Sequence, residues 1–287
     1  MTFDYQKLRW NKKAADITAE NLVHAPIGLS NGVQWVDLYN EGISGILTEQ
    51  ANAWFYKSNL GNGAFSNAQL VMPKPSLMGL SNGLLHLQDL EANGEKQLVV
   101  NMPQMQGYFE LNDQGEWQPF RAFAKNLNLD LRDPKVRMID IDGDGKPEVL
   151  LSEQGAFWWW KNEGKIGYDA PELATKPYDE EHGPSIVFQD QEQRIFLADM
   201  SGDGLTDIVR IRNGEVCYWP NMGYGKFGAK VTMGHSPVFD HPDLFNPAYL
   251  QLTDISGTGA TDIIYLGKNR FTAYLNCSGN AWSKGEA

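Results

Sequence analysis

An aspartate ends a short apolar run at five places along this chain, and each time an acidic turn containing glycine follows. These residues are Asp37, Asp89, Asp140, Asp199 and Asp254. The gaps between them are 52, 51, 59 and 55 residues. Regular spacing of this size indicates an array of one structural unit, so function has to be read from the array and not from one motif.

Three short apolar runs separated by turn residues make up each unit. In the third unit they are 136–140, 148–152 and 156–160; in the fourth, 194–199, 207–212 and 215–219; in the fifth, 249–254, 262–266 and 271–275. This pattern is typical of consecutive antiparallel strands. An Asn-x-Gly turn follows the third run in three units, and a later aromatic residue (Phe65, Tyr168, Phe227 or Trp282) is predicted to begin a fourth strand.

Four strands in about 50 residues form a β-propeller blade, because so small a sheet cannot bury both faces alone. The prediction is an all-β protein with five visible blade motifs and a sixth that is degenerate or missing. No segment sustains a helical apolar period beyond two turns. Residues 31–287 are assigned to the propeller, and residues 1–30 to a closing segment or linker.

The chain has a formal net charge of −12 and two cysteines. A surface this acidic repels phosphate backbones, so we expect no nucleic-acid partner. No apolar stretch of 18 residues occurs, so no membrane insertion is expected. Two buried free thiols are favoured over a disulfide. The first residues carry no signal pattern, which indicates either that the chain is not exported by that route or that it is a fragment of a longer protein, and we favour the fragment.

The turn of the third unit is the best candidate for a metal site. Its predicted ligands are the side chains of Asp140, Asp142, Asp144 and Glu148 and the carbonyl of Lys146. They occupy positions 1, 3, 5, 9 and 7 of the turn, with Gly145 at the bend. Calcium takes six to eight oxygen ligands, and this alternation curls oxygens around one point.

The other turns match this pattern less well. The fourth offers Asp199, Ser201, Asp203, the carbonyl of Leu205 and Asp207, which predicts a weaker calcium site. The fifth has two hydroxyls, at Ser256 and Thr258, and the first two turns lack an acid at position 9 and are expected to bind nothing. The alternative for every turn is an Asx-type turn, in which aspartate accepts backbone N–H bonds without metal. In both cases the role is blade rigidity.

The other notable groups of residues are better explained by structural roles than by metal binding or catalysis. Residues 234–243 contain His235 and His241, but a Pro-braced surface loop is favoured over a zinc or catalytic site. The run 158–160 of three tryptophans is expected to pack in the core. No nucleophile–base arrangement stands out, and the chain is not expected to be an enzyme.

The acidic turns followed by aromatic strands resemble the FG-GAP/VCBS repeats of integrin-α-like β-propellers. Longer stretches of the sequence resemble the middle region of the B component of bacterial insecticidal Tc toxin complexes, a region shared with SpvB-like toxins. These stretches are residues 34–38, 42–50, 53–57, 197–207, 210–219 and 239–242. The resemblance covers nearly the whole chain.

This resemblance implies a secreted, non-enzymatic docking and gating module. In the family, the propeller sits on an RHS-repeat cocoon that encloses a toxic polypeptide, docks on the pore-forming A component and controls release of the payload. The family propeller has six blades, one more than the motifs counted here. The alternative is a calcium-dependent lectin or adhesion propeller.

Overall fold

The structure is a computed structural model that describes residues 18–22, 33–50, 53–71, 75, 84–189 and 194–286. Apart from three short 3-10 turns, Ala19–Leu22, Gly164–Ile166 and Pro247–Tyr249, the regular structure in these ranges is β-strand. No described helix has the length and apolar character needed to cross a membrane. Of the predicted N-terminal segment, only residues 18–22 lie within the described ranges.

The strands of the described ranges form five consecutive antiparallel blades, which confirms the predicted β-propeller fold class. Contacts divide the chain into two compact units. Unit 1 holds the first two blades together with Glu163–Tyr168, and unit 2 holds the other three.

In unit 1, the first blade is β1 (Val33–Val36), β2 (Gly45–Gln50), β3 (Ala53–Lys57) and β6 (Gln69–Val71), with a small hairpin of β4 (Asn59–Gly61) and β5 (Ala64–Phe65) before the last strand. The second blade is β7 (Leu85–Gln88), β8 (Gln97–Met102), β9 (Met105–Phe109) and β10 (Arg121–Ala122). Buried side chains of both blades, including Leu47, Trp54, Leu98 and Trp117, form one core. Each sheet therefore buries a face on its neighbour.

In unit 2, the third blade is β11 (Val136–Ile139), β12 (Glu148–Ser152), β13 (Ala156–Trp160) and β14 (Glu172–Thr175). The fourth is β15 (Ile195–Ala198), β16 (Asp207–Arg212), β17 (Glu215–Trp219) and β18 (Val231–Thr232). The fifth is β19 (Leu250–Thr253), β20 (Asp262–Leu266) and β21 (Phe271–Tyr274), followed by the hairpin of β22 (Asn276–Cys277) and β23 (Ala281–Trp282). In the fifth sheet, the fourth position is marked by a bridge between Ala273 and Glu286.

Two cores join the blades of unit 2. Ile139, Phe157 and Trp159 of the third blade pack with Ile208 and Trp219 of the fourth. A second core combines residues of the fourth and fifth blades, among them Val209, Tyr218, Ile263 and Trp282.

The recurring aromatic residue after the third strand does not begin the fourth strand. Phe65, Phe227 and Trp282 instead pair with Asn59, Asn221 and Asn276 across a tight turn. The fourth strands begin later, at Gln69 and Val231 in the first and fourth blades. The aromatic therefore closes the turn before the chain reaches the outer edge of its blade.

Candidate functional site

Each acidic turn joins the first strand of its blade to the second. Its opening aspartate organises the turn by accepting backbone N–H bonds with both carboxylate oxygens. Asp140 Oδ1 accepts from Gly143 at 2.7 Å, and Asp140 Oδ2 accepts from Gly145 at 2.9 Å. Asp199 does the same with Gly202 and Gly204, at 2.7 and 2.8 Å. The Asx-type turn is therefore present in this structure.

The residue at position 9 is buried and forms a hydrogen bond across the turn. Glu148, Asp207 and Asp262 are all 0% exposed. Each accepts the backbone N–H of the residue after the opening aspartate, at 2.8, 2.9 and 2.9 Å. In the second blade Gln97 does this with a neutral amide oxygen, 2.9 Å from the Leu90 nitrogen. The hydrogen bond thus requires an acceptor oxygen at position 9 and does not require a charge.

The third and fourth turns differ in how fully this acceptor is used. Asp207 accepts from Met200 with one oxygen and from Asn221 with the other, at 2.9 and 2.8 Å. The Glu148 carboxylate accepts backbone N–H bonds from Ile141, at Oε2, and from Asn162, but its Oε1 is buried and has no hydrogen-bond partner. An unpartnered buried carboxylate oxygen is costly, and it marks the third turn as the one with a free ligand atom.

Burial also changes the acidity of these groups. Loss of solvent raises the pKa of Glu148 from 4.5 to about 7, assisted by the nearby charges of Asp142 and Asp144 and opposed by backbone N–H bonds. Loss of solvent likewise raises the pKa of Asp207 from 3.8 to about 6. A cation beside either group would reverse this effect, because it favours the charged carboxylate.

The third turn alone among the described residues brings three potential metal-binding side chains together. One oxygen each from Asp140, Asp142 and Glu148 lie within 4.8 Å of one another. The residues of the predicted site therefore fit a hard cation that prefers oxygen ligands. Asp144 lies at the exposed rim, where its Oδ1 accepts the Lys146 N–H at 2.9 Å.

The predicted residues of the fourth turn do not form such a group. Asp203 Oδ1 accepts from the Leu205 N–H at 2.9 Å, and the Ser201 hydroxyl lies 3.5 Å from Asp199 Oδ1. With both Asp207 oxygens committed to backbone, this turn offers a cation fewer free ligand atoms than the third. Its calcium site stays a prediction.

Two kinds of residue around the turns were not identified from the sequence. Lys161, directly before the Asn-x-Gly of the third blade, places its Nζ 2.5 Å from Asp142 Oδ2. The second kind is the asparagine that follows the third strand, which connects neighbouring blades of unit 2. Asn276 Nδ2 donates to the Met200 carbonyl at 2.9 Å and to the Thr261 carbonyl at 3.1 Å. Recurrence of this asparagine in the sequence was the available signal.

The remaining candidates are structural. Asn213 Oδ1 accepts the backbone N–H of Phe239 at 2.7 Å, so the 234–243 loop is held by a buried aromatic anchor, while His235 and His241 are exposed. Trp159 is 2% exposed and packs in a core, whereas Trp158 is 36% exposed, as alternation along a strand requires. Both cysteines are free, but only Cys217 is buried; the expectation of two buried thiols was wrong for Cys277.

Comparison with known proteins gives a match in structure only. No protein-family model matches the chain, and no curated protein matches its sequence. Over 89% of its length, the chain is similar to part of a Tc holotoxin pore of Photorhabdus luminescens, with a TM-score of 0.73 and 26% identity. It spans 12% of that toxin chain.

Two further structures are similar. A lectin of Agrocybe aegerita that recognises non-reducing terminal N-acetylglucosamine matches 88% of this chain and 64% of its own, with a TM-score of 0.58 and 20% identity, which shows a shared fold alone. A crystal structure of TcdB2-TccC3 without its hypervariable C-terminal region matches 93% of this chain and 12% of its own, with a TM-score of 0.49 and 25% identity. The holotoxin match confirms the resemblance to the Tc toxin propeller.

Proposed function

We propose that this chain is the docking and gating module of a Tc-toxin B component. In this proposal it binds the pore-forming A component and controls release of a toxic polypeptide enclosed by an RHS-repeat cocoon. The chain itself performs no catalysis, and the assembly is secreted. The observation that carries the proposal is the similarity, at 26% identity and over 89% of the chain, to part of a Tc holotoxin pore.

The local chemistry supports a scaffold role. The buried carboxylates at position 9 accept hydrogen bonds from backbone N–H groups, and the opening aspartate of each turn accepts further N–H bonds within that turn. A blade stiffened in this way presents its connecting loops in one geometry. Rigid presentation lowers the entropy cost of binding a large partner.

Binding to the A component tests this proposal. The intact B component should bind the A component, and cross-linking of the assembled complex should join A to lysines within residues 33–286, for example Lys226 or Lys268. A cocoon lacking residues 31–287 is the control and should lose binding. Binding that survives this deletion, with cross-links only to the cocoon, would contradict the proposal.

A carbohydrate-binding propeller is the second candidate, and a cleft in unit 1 favours it. This cleft of about 380 Å³ is lined by Tyr39, Asn40, Glu95 and Asn112, among others. An exposed aromatic ring beside amide and carboxylate groups suits stacking and hydrogen bonding to a sugar. A glycan array probed with the chain, with and without chelator, distinguishes the candidates: a hit lost in Tyr39→Ala supports the lectin, and no hit rejects it.

We also propose that the third turn holds calcium through Asp140, Asp142, Asp144, Glu148 and the carbonyl of Lys146. The unpartnered Glu148 Oε1 and the grouping of three carboxylates support this site. The ion would neutralise buried charge and stiffen the blade. Calcium at 100 times its dissociation constant should stabilise the protein by about 2.7 kcal/mol. No rise in melting temperature in saturating calcium would reject the site.

A further inference from the structure

A lysine side chain already balances part of the negative charge of the third acidic turn. Lys161 Nζ lies 2.5 Å from Asp142 Oδ2 and 3.9 Å from Asp144 Oδ2. The Asp142 side chain is only 5% exposed, so its charge is shielded from water and depends on a nearby partner. The hydrogen bond to Asp142 raises the pKa of Lys161, and the charges of Asp142, Asp144 and Glu148 act in the same direction.

The position of this lysine in the chain is specific to the third blade. Lys161 follows the last residue of β13 and precedes Asn162. Pro220 occupies the same place before Asn221 in the fourth blade, and Leu275 precedes Asn276 in the fifth. The blade whose turn groups three carboxylates is therefore the blade that carries a cation at this place.

The ammonium and a divalent ion compete for the same carboxylate. Asp142 contributes an oxygen to the group formed with Asp140 and Glu148, and it also binds Lys161. Two positive centres on one carboxylate repel each other strongly in a site with little water. The Lys161 side chain is 39% exposed and four methylene groups long, so it can leave the turn for solvent.

We propose that Lys161 is a tethered counter-ion that calcium must displace to bind the third turn. The inference rests on the calcium site proposed above and adds the regulation of that site. With the lysine in place, part of the negative charge of the turn is balanced without metal. Calcium then binds with reduced affinity, and binding releases the Lys161 ammonium into solvent.

Calorimetric titration of calcium into three forms of the intact protein tests this. In Lys161→Met the competitor is removed with little change in side-chain volume, and affinity should rise by up to about fivefold, since a partly exposed ion pair is lost. Lys135→Met is the control for net charge, because Lys135 pairs with Glu153 instead, at 3.3 Å. Its affinity should match that of the unmodified protein.

The outcomes separate the two proposals. Equal calcium affinity in Lys161→Met and the unmodified protein would overturn the competition while leaving the site intact. Absence of binding in all three forms would reject the site itself. Binding in Lys161→Met alone would support the competition in its strongest form.

Amine labelling provides a second measurement that does not depend on affinity. Mass spectrometry should show faster acetylation of Lys161 when calcium is added, while labelling of Lys135 stays constant. Calcium binding without faster labelling of Lys161 would overturn the displacement.

Discussion

Replacing Glu148 with glutamine is expected to stabilise this protein at neutral pH in calcium-free buffer. Glu148 is 0% exposed, and loss of solvent raises its pKa from 4.5 to about 7. The folded state therefore holds a proton that the unfolded chain releases near pH 4.5. Stability from that proton is fully present below pH 4.5 and is lost as the pH rises through about 7.

The size of the effect follows from the pKa change. One pKa unit corresponds to about 1.4 kcal/mol, so the rise to about 7 costs the folded state about 3 kcal/mol at neutral pH and above. Glutamine keeps an acceptor for the Ile141 N–H and removes the charge. Its amide N–H₂ group replaces the unpartnered oxygen at a cost of about 1 kcal/mol. The net gain at pH 7 is about 2 kcal/mol, and it falls with pH until, near pH 4.5, the variant is less stable than the unmodified protein by about 0.5–1 kcal/mol.

Urea unfolding at pH 4.5 and pH 7 with chelator present measures this difference. The control is the reverse change in the second blade, Gln97→Glu, which places a charge on the side chain that accepts the Leu90 N–H. That variant should lose stability at pH 7 and recover it in acid. A Glu148→Gln variant that is less stable at pH 7, or whose difference from the unmodified protein does not depend on pH, would refute the reasoning.

Three further predictions concern positions outside the acidic turns. Gly167→Ala should lower the free energy of unfolding, measured in urea, by more than about 2 kcal/mol, because φ is +113° and the added Cβ would lie 2.0 Å from the Lys125 carbonyl oxygen. The control is Gly155→Ala, where an added Cβ would have no atom within 4 Å, and it should leave the stability nearly unchanged. In the same assay, Asn276→Ala should lower the free energy of unfolding by about 2–4 kcal/mol, because it removes three hydrogen bonds of a buried side chain. The control is Asn280→Ala at an exposed turn, which should lower it by less than about 0.5 kcal/mol. Equal losses in the two variants would contradict the role of Asn276 in connecting neighbouring blades. Maleimide should label Cys277 in the folded protein and the buried Cys217 only after unfolding, as read by mass spectrometry; labelling of both at one rate would contradict the burial difference.

The blade architecture was predictable because it rests on local patterns. Strands such as Glu148–Ser152 and Ala156–Trp160 begin and end where the alternation of apolar runs and turn residues places them. The fourth strands were harder to place, since two- to four-residue edge strands such as Val231–Thr232 carry little apolar signal. An aromatic residue nearby was therefore mistaken for the strand when it closes the preceding turn.

The residues of the candidate site were predictable from sequence, but the differences in hydrogen bonding between the individual turns were not. The spacing of Asp140, Asp142 and Glu148 identified the turn that groups its carboxylates. That spacing also made the fourth turn look similar, because sequence does not show that both Asp207 oxygens bond to backbone N–H groups. From sequence, Gln97 is a position where an acidic ligand is lost, whereas in the structure it supplies the same backbone hydrogen bond without a charge.

By itself, the sequence determined the repeat, the strands within each blade and the residues that can bind a cation, because these follow from side-chain type and spacing along a single segment. Only the tertiary structure decided which carboxylate oxygen is left without a partner, and that Lys161 reaches Asp142 from 19 residues away. Both depend on how the turn, the second strand and the end of the third strand pack together. Burial then sets the energy of each charge, and burial is a property of the packed blades.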